Sequence, residues 1–64
     1  MDSAVEAAVR RLGNNPQLGR IGRVPGTREL VVSDTPYLIA YRIRPDAVVI
    51  ERLFHSAQRW PDEL

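Results

Sequence analysis

A chain of 64 residues, 44% of them hydrophobic, with no cysteine, one histidine and a formal net charge of +1, encodes one domain over residues 1–64. At this length folding buries only about 60% of the surface that the unfolded chain exposes, so the core is small and stability is marginal. The composition excludes disulfides and thiolate metal sites, leaves too few ligands for a zinc site from this chain alone, implies no cofactor, and does not by itself announce nucleic-acid binding.

No apolar run approaches the ~20 residues of a membrane-spanning helix, and MDSAVEAAVRR lacks the long apolar segment of a signal peptide, so a soluble cytoplasmic protein with no membrane partner is expected. All nine basic residues are Arg and none is Lys. That choice suits planar, bidentate contacts to carboxylate or phosphate, and high-GC codon usage gives the same bias.

Ser3-Ala4-Val5-Glu6 has the form of a capping box, which predicts a helix from Ser3 to about Leu12. Val5, Ala8, Val9 and Leu12 recur at three- and four-residue spacing as one apolar stripe, with Glu6 and Arg10 outside it as an i,i+4 pair of the favourable order. Gly13 follows as a helix-ending C′ residue. So short a helix does not persist alone in water, so the stripe has to pack on something.

The stretch from Asn14 to Gly26 is a loop by composition, with Gly or Pro at every second or third position. Its glycines are not a phosphate-binding loop, because the GK[ST] ending and the strand-to-helix context are missing. Arg20 and Arg23 stand exposed between them, in a plain connector or an anion-contacting loop.

Three short β-branched runs then follow, TRELVVS, PYLIAYRIR and AVVIERLFH, within Thr27 to His55. They are joined through Ser33-Asp34-Thr35-Pro36, where Asp can close an Asx turn, and through Arg44-Pro45-Asp46. Links this short exclude parallel crossovers and predict an antiparallel meander. The expected fold is therefore α+β, with one N-terminal helix packed on a three-stranded antiparallel β-meander.

Alternation places Tyr37, Ile39, Tyr41 and Ile43 on one side of the middle strand, and Leu38, Ala40, Arg42 and Arg44 on the other. In the last strand it sets Val48, Ile50, Arg52 and Phe54 against Val49, Glu51, Leu53 and His55. Neither side is cleanly polar, as in a sheet at least partly covered on both faces. Trp60, beside Pro61 in the tail, suits a core plug at the sheet edge or a partner contact.

The ordered set of a helix, Asn-Pro-x-x-Gly-Arg, Val-Pro-Gly-Thr-Arg-Glu-Leu-Val-Val, Pro-Tyr-Leu-Ile-Ala-Tyr-Arg-Ile and Leu-Phe-His-Ser-Ala-Gln-Arg-Trp-Pro resembles the ParE branch of the RelE/ParE toxin superfamily, from about Ala4 to Pro61. The resemblance implies a small α+β toxin of a bacterial type II toxin-antitoxin module, held inactive by a cognate antitoxin. ParE-like members poison DNA gyrase; RelE-like members cleave mRNA in the ribosome. Members usually begin with a further strand and helix, so the expectation is a truncated RelE/ParE-like fold with apolar sheet surface left open in a monomer. A homodimer or a marginally folded monomer follows from that expectation. A remnant that only binds partners is a further alternative.

A ribonuclease built on these residues would use His55, Arg28 and Arg52, the imidazole as acid or base and the guanidinium groups on the phosphorane. Ribonucleolytic relatives tend to carry Arg where this chain has Leu38, and a catalytic Tyr or His where it has Trp60. The leading expectation is thus a non-enzymatic toxin whose partner-binding residues are Arg23, Arg28, Tyr37, Tyr41, Arg42, Arg52 and Trp60, residue types enriched at interface hot spots. An acidic, amphipathic antitoxin segment would meet them. Arg28 has a purely structural alternative, an ion pair with Glu51 or a neighbouring acid.

Overall fold

The computed structural model describes residues 3–57. Trp60 therefore lies outside the described residues. Helix α1 (Ala4–Asn14) and a three-residue 3-10 turn, η1 (Pro16–Leu18), precede strands β1 (Arg20–Ile21), β2 (Arg28–Val31), β3 (Tyr37–Ile43) and β4 (Val48–His55). The strands form one antiparallel sheet in the order β1-β2-β3-β4. The α+β class is as expected, and the sheet has one strand more than the three-stranded meander read from the sequence.

Ser3 caps α1 as its sequence announces, its hydroxyl accepting from the Glu6 amide at 3.0 Å. The end differs. Gly13 is not a C′ residue: the helix continues to Asn14, and the Asn15 amide still donates to the Arg11 carbonyl at 2.9 Å. Pro16 sets the stop, because a residue preceding proline is driven from the helical region, and Asn15 has turned to φ −146° and ψ 86°. Pro16 then opens η1.

Both hairpin turns form where expected. In the first, Asp34 occupies the left-handed region at φ 63°, which Asp tolerates, but the side-chain bond comes from the Thr35 hydroxyl, donating to the Val32 carbonyl at 2.9 Å. In the second, Arg44 and Ala47 exchange backbone bonds across Pro45-Asp46. The short strand β1 lies inside the stretch read as a loop, held by the pairs Arg20 with Glu29 and Ile21 with Arg28.

Residues paired across an antiparallel sheet share a face. The helix face therefore carries Arg28, Leu30, Ile39 and Tyr41, and the helical residues Ala8 and Leu12 bury Leu30, Val32, Ile39 and Tyr41 into the main core. Val5, Leu18 and Val48 pack at its margin. The far face has a smaller cluster of its own, Leu38, Ala40 and Phe54.

Strand β4 departs from simple alternation. Ala40 faces Arg52 while Tyr41 faces Ile50, so Glu51 is an extra residue, a β-bulge. The bulge re-phases the strand: Val48, Ile50, Leu53 and His55 share the helix face, and Val49, Arg52 and Phe54 the far face. The alternating split of this strand read from the sequence is thereby corrected at Arg52, Phe54, Leu53 and His55.

Candidate functional site

The far face is where the chain's arginines gather. Glu29 is buried there, its side chain 1% exposed, although a glutamate is seldom found so deep unless paired. The pairing is complete. Arg23 donates through Nε at 2.9 Å and Nη2 at 3.0 Å in a bidentate fork, adds its own amide at 3.1 Å, and Arg20 contributes Nη2 at 3.4 Å. Burial pushes the Glu29 carboxyl up, but the hydrogen bonds and charge of Arg23, with Arg20 behind them, outweigh it and hold the group below its ordinary range.

The same Arg23 guanidinium lies over the Phe54 ring at 5.1 Å, within cation–π range, and so roofs the far-face cluster. It is drawn there by the loop behind it: the Gly22 amide donates to the Thr27 carbonyl at 2.8 Å, and Gly26 takes φ +84°, a conformation open to glycine. Arg42 pairs with Glu51, and its Nη1 reaches the Pro25 carbonyl at 3.3 Å. Arg52, opposite Ala40, is exposed and has no ion pair among the described residues. Four arginines, Arg20, Arg23, Arg42 and Arg52, thus stand with two glutamates on one sheet surface beside the exposed Val31 and Val49.

The helix face serves a different purpose at its β2 end. The Tyr41 hydroxyl donates to the Pro16 carbonyl at 2.7 Å and accepts from the Gly19 amide at 2.8 Å, while Arg28 Nη1 donates to the Gly19 carbonyl at 2.8 Å. Gly19 has no room for a side chain, since a Cβ would meet the Tyr41 hydroxyl at 2.6 Å and the Glu29 carbonyl at 2.8 Å. Tyr41 and Arg28 together therefore tie η1 to the sheet.

These contacts sort the residues expected to bind a partner. Arg23, Arg42 and Arg52 come together on the far face. Tyr37 is 42% exposed on the helix face, against the edge of the His55 ring at 5.6 Å. Tyr41 is corrected: it is fully buried and presents no surface. Arg28 is corrected in part, because it bonds a backbone carbonyl and not Glu51, which is taken by Arg42. Arg20 and Glu29 were missed as site residues; the signal available was a lone acid in RELVV with Arg20 and Arg23 just before it.

The catalytic candidates do not converge. Arg52 is on the far face, His55 is on the helix face with its Nδ1 accepting from the Ala57 amide at 3.0 Å, and Arg28 is two strands from His55 on the Gly19 carbonyl. A groove of about 450 Å³ opens between the end of α1 and the β3–β4 hairpin, with Val9, Ile43 and Ile50 on its walls. Among the described residues no group of His, Cys, Asp and Glu is placed to hold a metal ion, and no helix is long and apolar enough to cross a membrane.

Residues 1–60 match the family described as the ParE toxin of the type II toxin-antitoxin system parDE. A protein of Sinorhizobium fredii named "Putative toxin Y4kP" is 43% identical over 60 residues, covering 94% of this chain. The chain spans 62% of the length of that relative. No solved structure matches it. The matched stretch holds α1, the whole sheet and every arginine of the far face, and on that match the chain belongs to the ParE toxin family of type II toxin-antitoxin systems.

Proposed function

We propose that this chain acts in the cytoplasm as a ParE-like toxin that inhibits DNA gyrase and is neutralised by a cognate antitoxin. The observation that carries the antitoxin part is the far face, where Arg20, Arg23, Arg42 and Arg52 stand around an apolar patch. An amphipathic acidic segment has the matching chemistry: its apolar side covers Val31 and Val49, and its carboxylates meet the exposed guanidinium groups of Arg20 and Arg52. Membership of the ParE family supports gyrase as the target. The separation of Arg28, Arg52 and His55 lends no support to mRNA cleavage.

The test is a supercoiling assay with purified gyrase and this chain, titrated with the antitoxin encoded beside it. Inhibition relieved by the antitoxin is expected. Replacing Arg20 and Arg52 together by Ala, both exposed, should weaken antitoxin binding roughly ten- to a hundredfold while leaving the fold intact. Unchanged affinity would remove the arginine face from the binding site, and gyrase left unaffected at concentrations that arrest growth would move the target elsewhere.

A further inference from the structure

Strand β1 is shorter than the strand it borders. Its two residues pair with Arg28 and Glu29, and β2 runs on to Leu30 and Val31 with no strand beside them on that side among the described residues. The pairing on both sides fixes which backbone groups are left over. The Val32 amide donates to the Tyr37 carbonyl at 2.9 Å, so Val32 and Leu30 turn toward β3, and Val31 between them turns its amide and its carbonyl away. The β1 side gives the same parity, since the Gly22 amide donates to the Thr27 carbonyl at 2.8 Å and Glu29 follows two residues on, opposite Arg20. Leu18, which would continue β1 opposite Val31, is held in η1 instead, its amide donating to the Asn15 carbonyl at 3.1 Å.

A cleft of about 380 Å³ opens at this place, lined by Leu18, Leu30 and Val31 and by the guanidinium-bearing Arg11 and Arg20. Val31 is 54% exposed and the Arg20 side chain 63%. Arg11, exposed in the last turn of α1, has no ion pair among the described residues.

We propose that this cleft takes the C-terminal end of an acidic antitoxin segment, added to β2 as a strand collinear with β1. The inference rests on the antitoxin reading for the source of the segment and shares Arg20 and Val31 with that surface; it adds the direction of the segment and the group that ends it. A segment antiparallel to β2 runs in the direction of β1, with one residue opposite Val31. The next position along that line is filled by Gly19, whose amide donates to the Tyr41 hydroxyl and whose carbonyl accepts from Arg28. The incoming chain therefore has to stop opposite Val31.

A carboxylate terminus fits that stop. The last residue's N–H donates to the Val31 carbonyl, and an oxygen of its terminal carboxylate accepts from the Val31 amide, the two bonds of an antiparallel hydrogen-bonded pair. The guanidinium groups of Arg11 and Arg20 meet the remaining charge. The reverse direction would set an ammonium terminus beside the same two arginines, and like charges exclude it. Faces fix the side chains as well. The last residue shares the far face with the exposed Val31 and takes an apolar side chain; the one before it shares the face of Val32, where α1 and Arg11 lie, and takes a carboxylate.

Titrating the isotope-labelled chain with acetyl-Thr-Glu-Val, and with the same peptide capped as a C-terminal amide, tests the site through the backbone amide resonances. The free acid is expected to shift the Val31 amide, and either the amide cap or Arg11→Ala to weaken binding roughly tenfold. Arg44→Ala, at the β3–β4 hairpin, leaves it unchanged. The source is tested with the antitoxin encoded beside the chain, native and extended by two glycines past its last residue. The native form is expected to bind, and the extension, like Arg11→Ala, to weaken binding roughly tenfold because the added residues run into Gly19. Circular dichroism confirms that each variant is folded. Arg11 lies outside the patch of Arg20, Arg42 and Arg52, so an antitoxin indifferent to both Arg11→Ala and the extension overturns this inference and leaves the antitoxin reading standing. An antitoxin that does not bind the wild-type chain overturns both. A peptide that shifts Val31 equally as acid and as amide, or that shifts nothing along β2, overturns the site.

Discussion

At the scale of single residues, two buried polar groups organise the loops around the sheet. Glu29 is the first. Its carboxylate receives the Arg23 fork, the Arg23 amide and Arg20, so removing it strands the guanidinium over Phe54 and frees the loop before β2. Glu29→Gln should cost about 1–3 kcal/mol in chemical denaturation, the partial exposure of Arg23 keeping the figure below that of a fully buried pair. Because the folded carboxyl lies below its ordinary value of 4.5, its contribution is fully present above that value and is lost as pH falls through the lower folded one. The stability gap between wild type and Glu29→Gln should therefore be flat near neutral pH and close below about 4.5; a gap that widens on acidification would contradict this. Tyr41 is the second. Tyr41→Phe leaves the buried Gly19 amide without its acceptor and should lower stability by about 1–3 kcal/mol, read as a fall in melting temperature of roughly 4–8 °C per kcal/mol in a domain of this size. Sequence reading sets Tyr41 among the partner-binding residues, and its burial was not legible because its hydroxyl partners lie 22 and 25 residues away, beyond the reach of local pattern.

At the scale of elements, the parts that were legible are those whose chemistry is local. The Ser3 cap is carried by a few adjacent residues, and both hairpin turns by Pro, Asp and Thr at the right positions. The parts that were not legible depend on pairing. Strand β1 is two residues long and exists only because Glu29 and Arg28 lie opposite it, and the helix runs past Gly13 because Pro16, not glycine, sets the end. The bulge leaves no mark at period two, since one extra residue looks like ordinary alternation until the partner strand fixes the register. It also yields a sharp prediction. Deleting Glu51 should leave every other residue of β4 on its present face and cost about 1 kcal/mol or less beyond the lost Arg42 contact. Deleting Leu53 instead shifts Phe54 to the helix face and His55 to the far face, and should unfold the domain. Thermal melts of the two deletions decide the matter; equal damage would mean that Glu51 holds a regular ladder position.

At the scale of the whole molecule, one helix covers Ile39 and Tyr41 but leaves Tyr37, Ile43, Ile50 and Leu53 each more than 40% exposed. The open apolar surface lies at the ends of β3 and along β4, while Ile39 and Tyr41 in the middle of β3 are buried. The far face, by contrast, has its apolar cluster roofed by Arg23 and its rim lined with arginine. The arginine face suits an acidic segment, and paired substitution of Arg20 and Arg52 tests that occupant.

The central claim, that this ParE-family chain acts on gyrase, is tested most directly by inducing Met1 to Leu64 in a bacterial host without the antitoxin while following growth and a DNA-damage reporter. The account predicts growth arrest with strong reporter output, both suppressed when the antitoxin is expressed alongside. Growth arrest with a silent reporter and cleaved mRNA, or normal growth with verified folded protein, would contradict it.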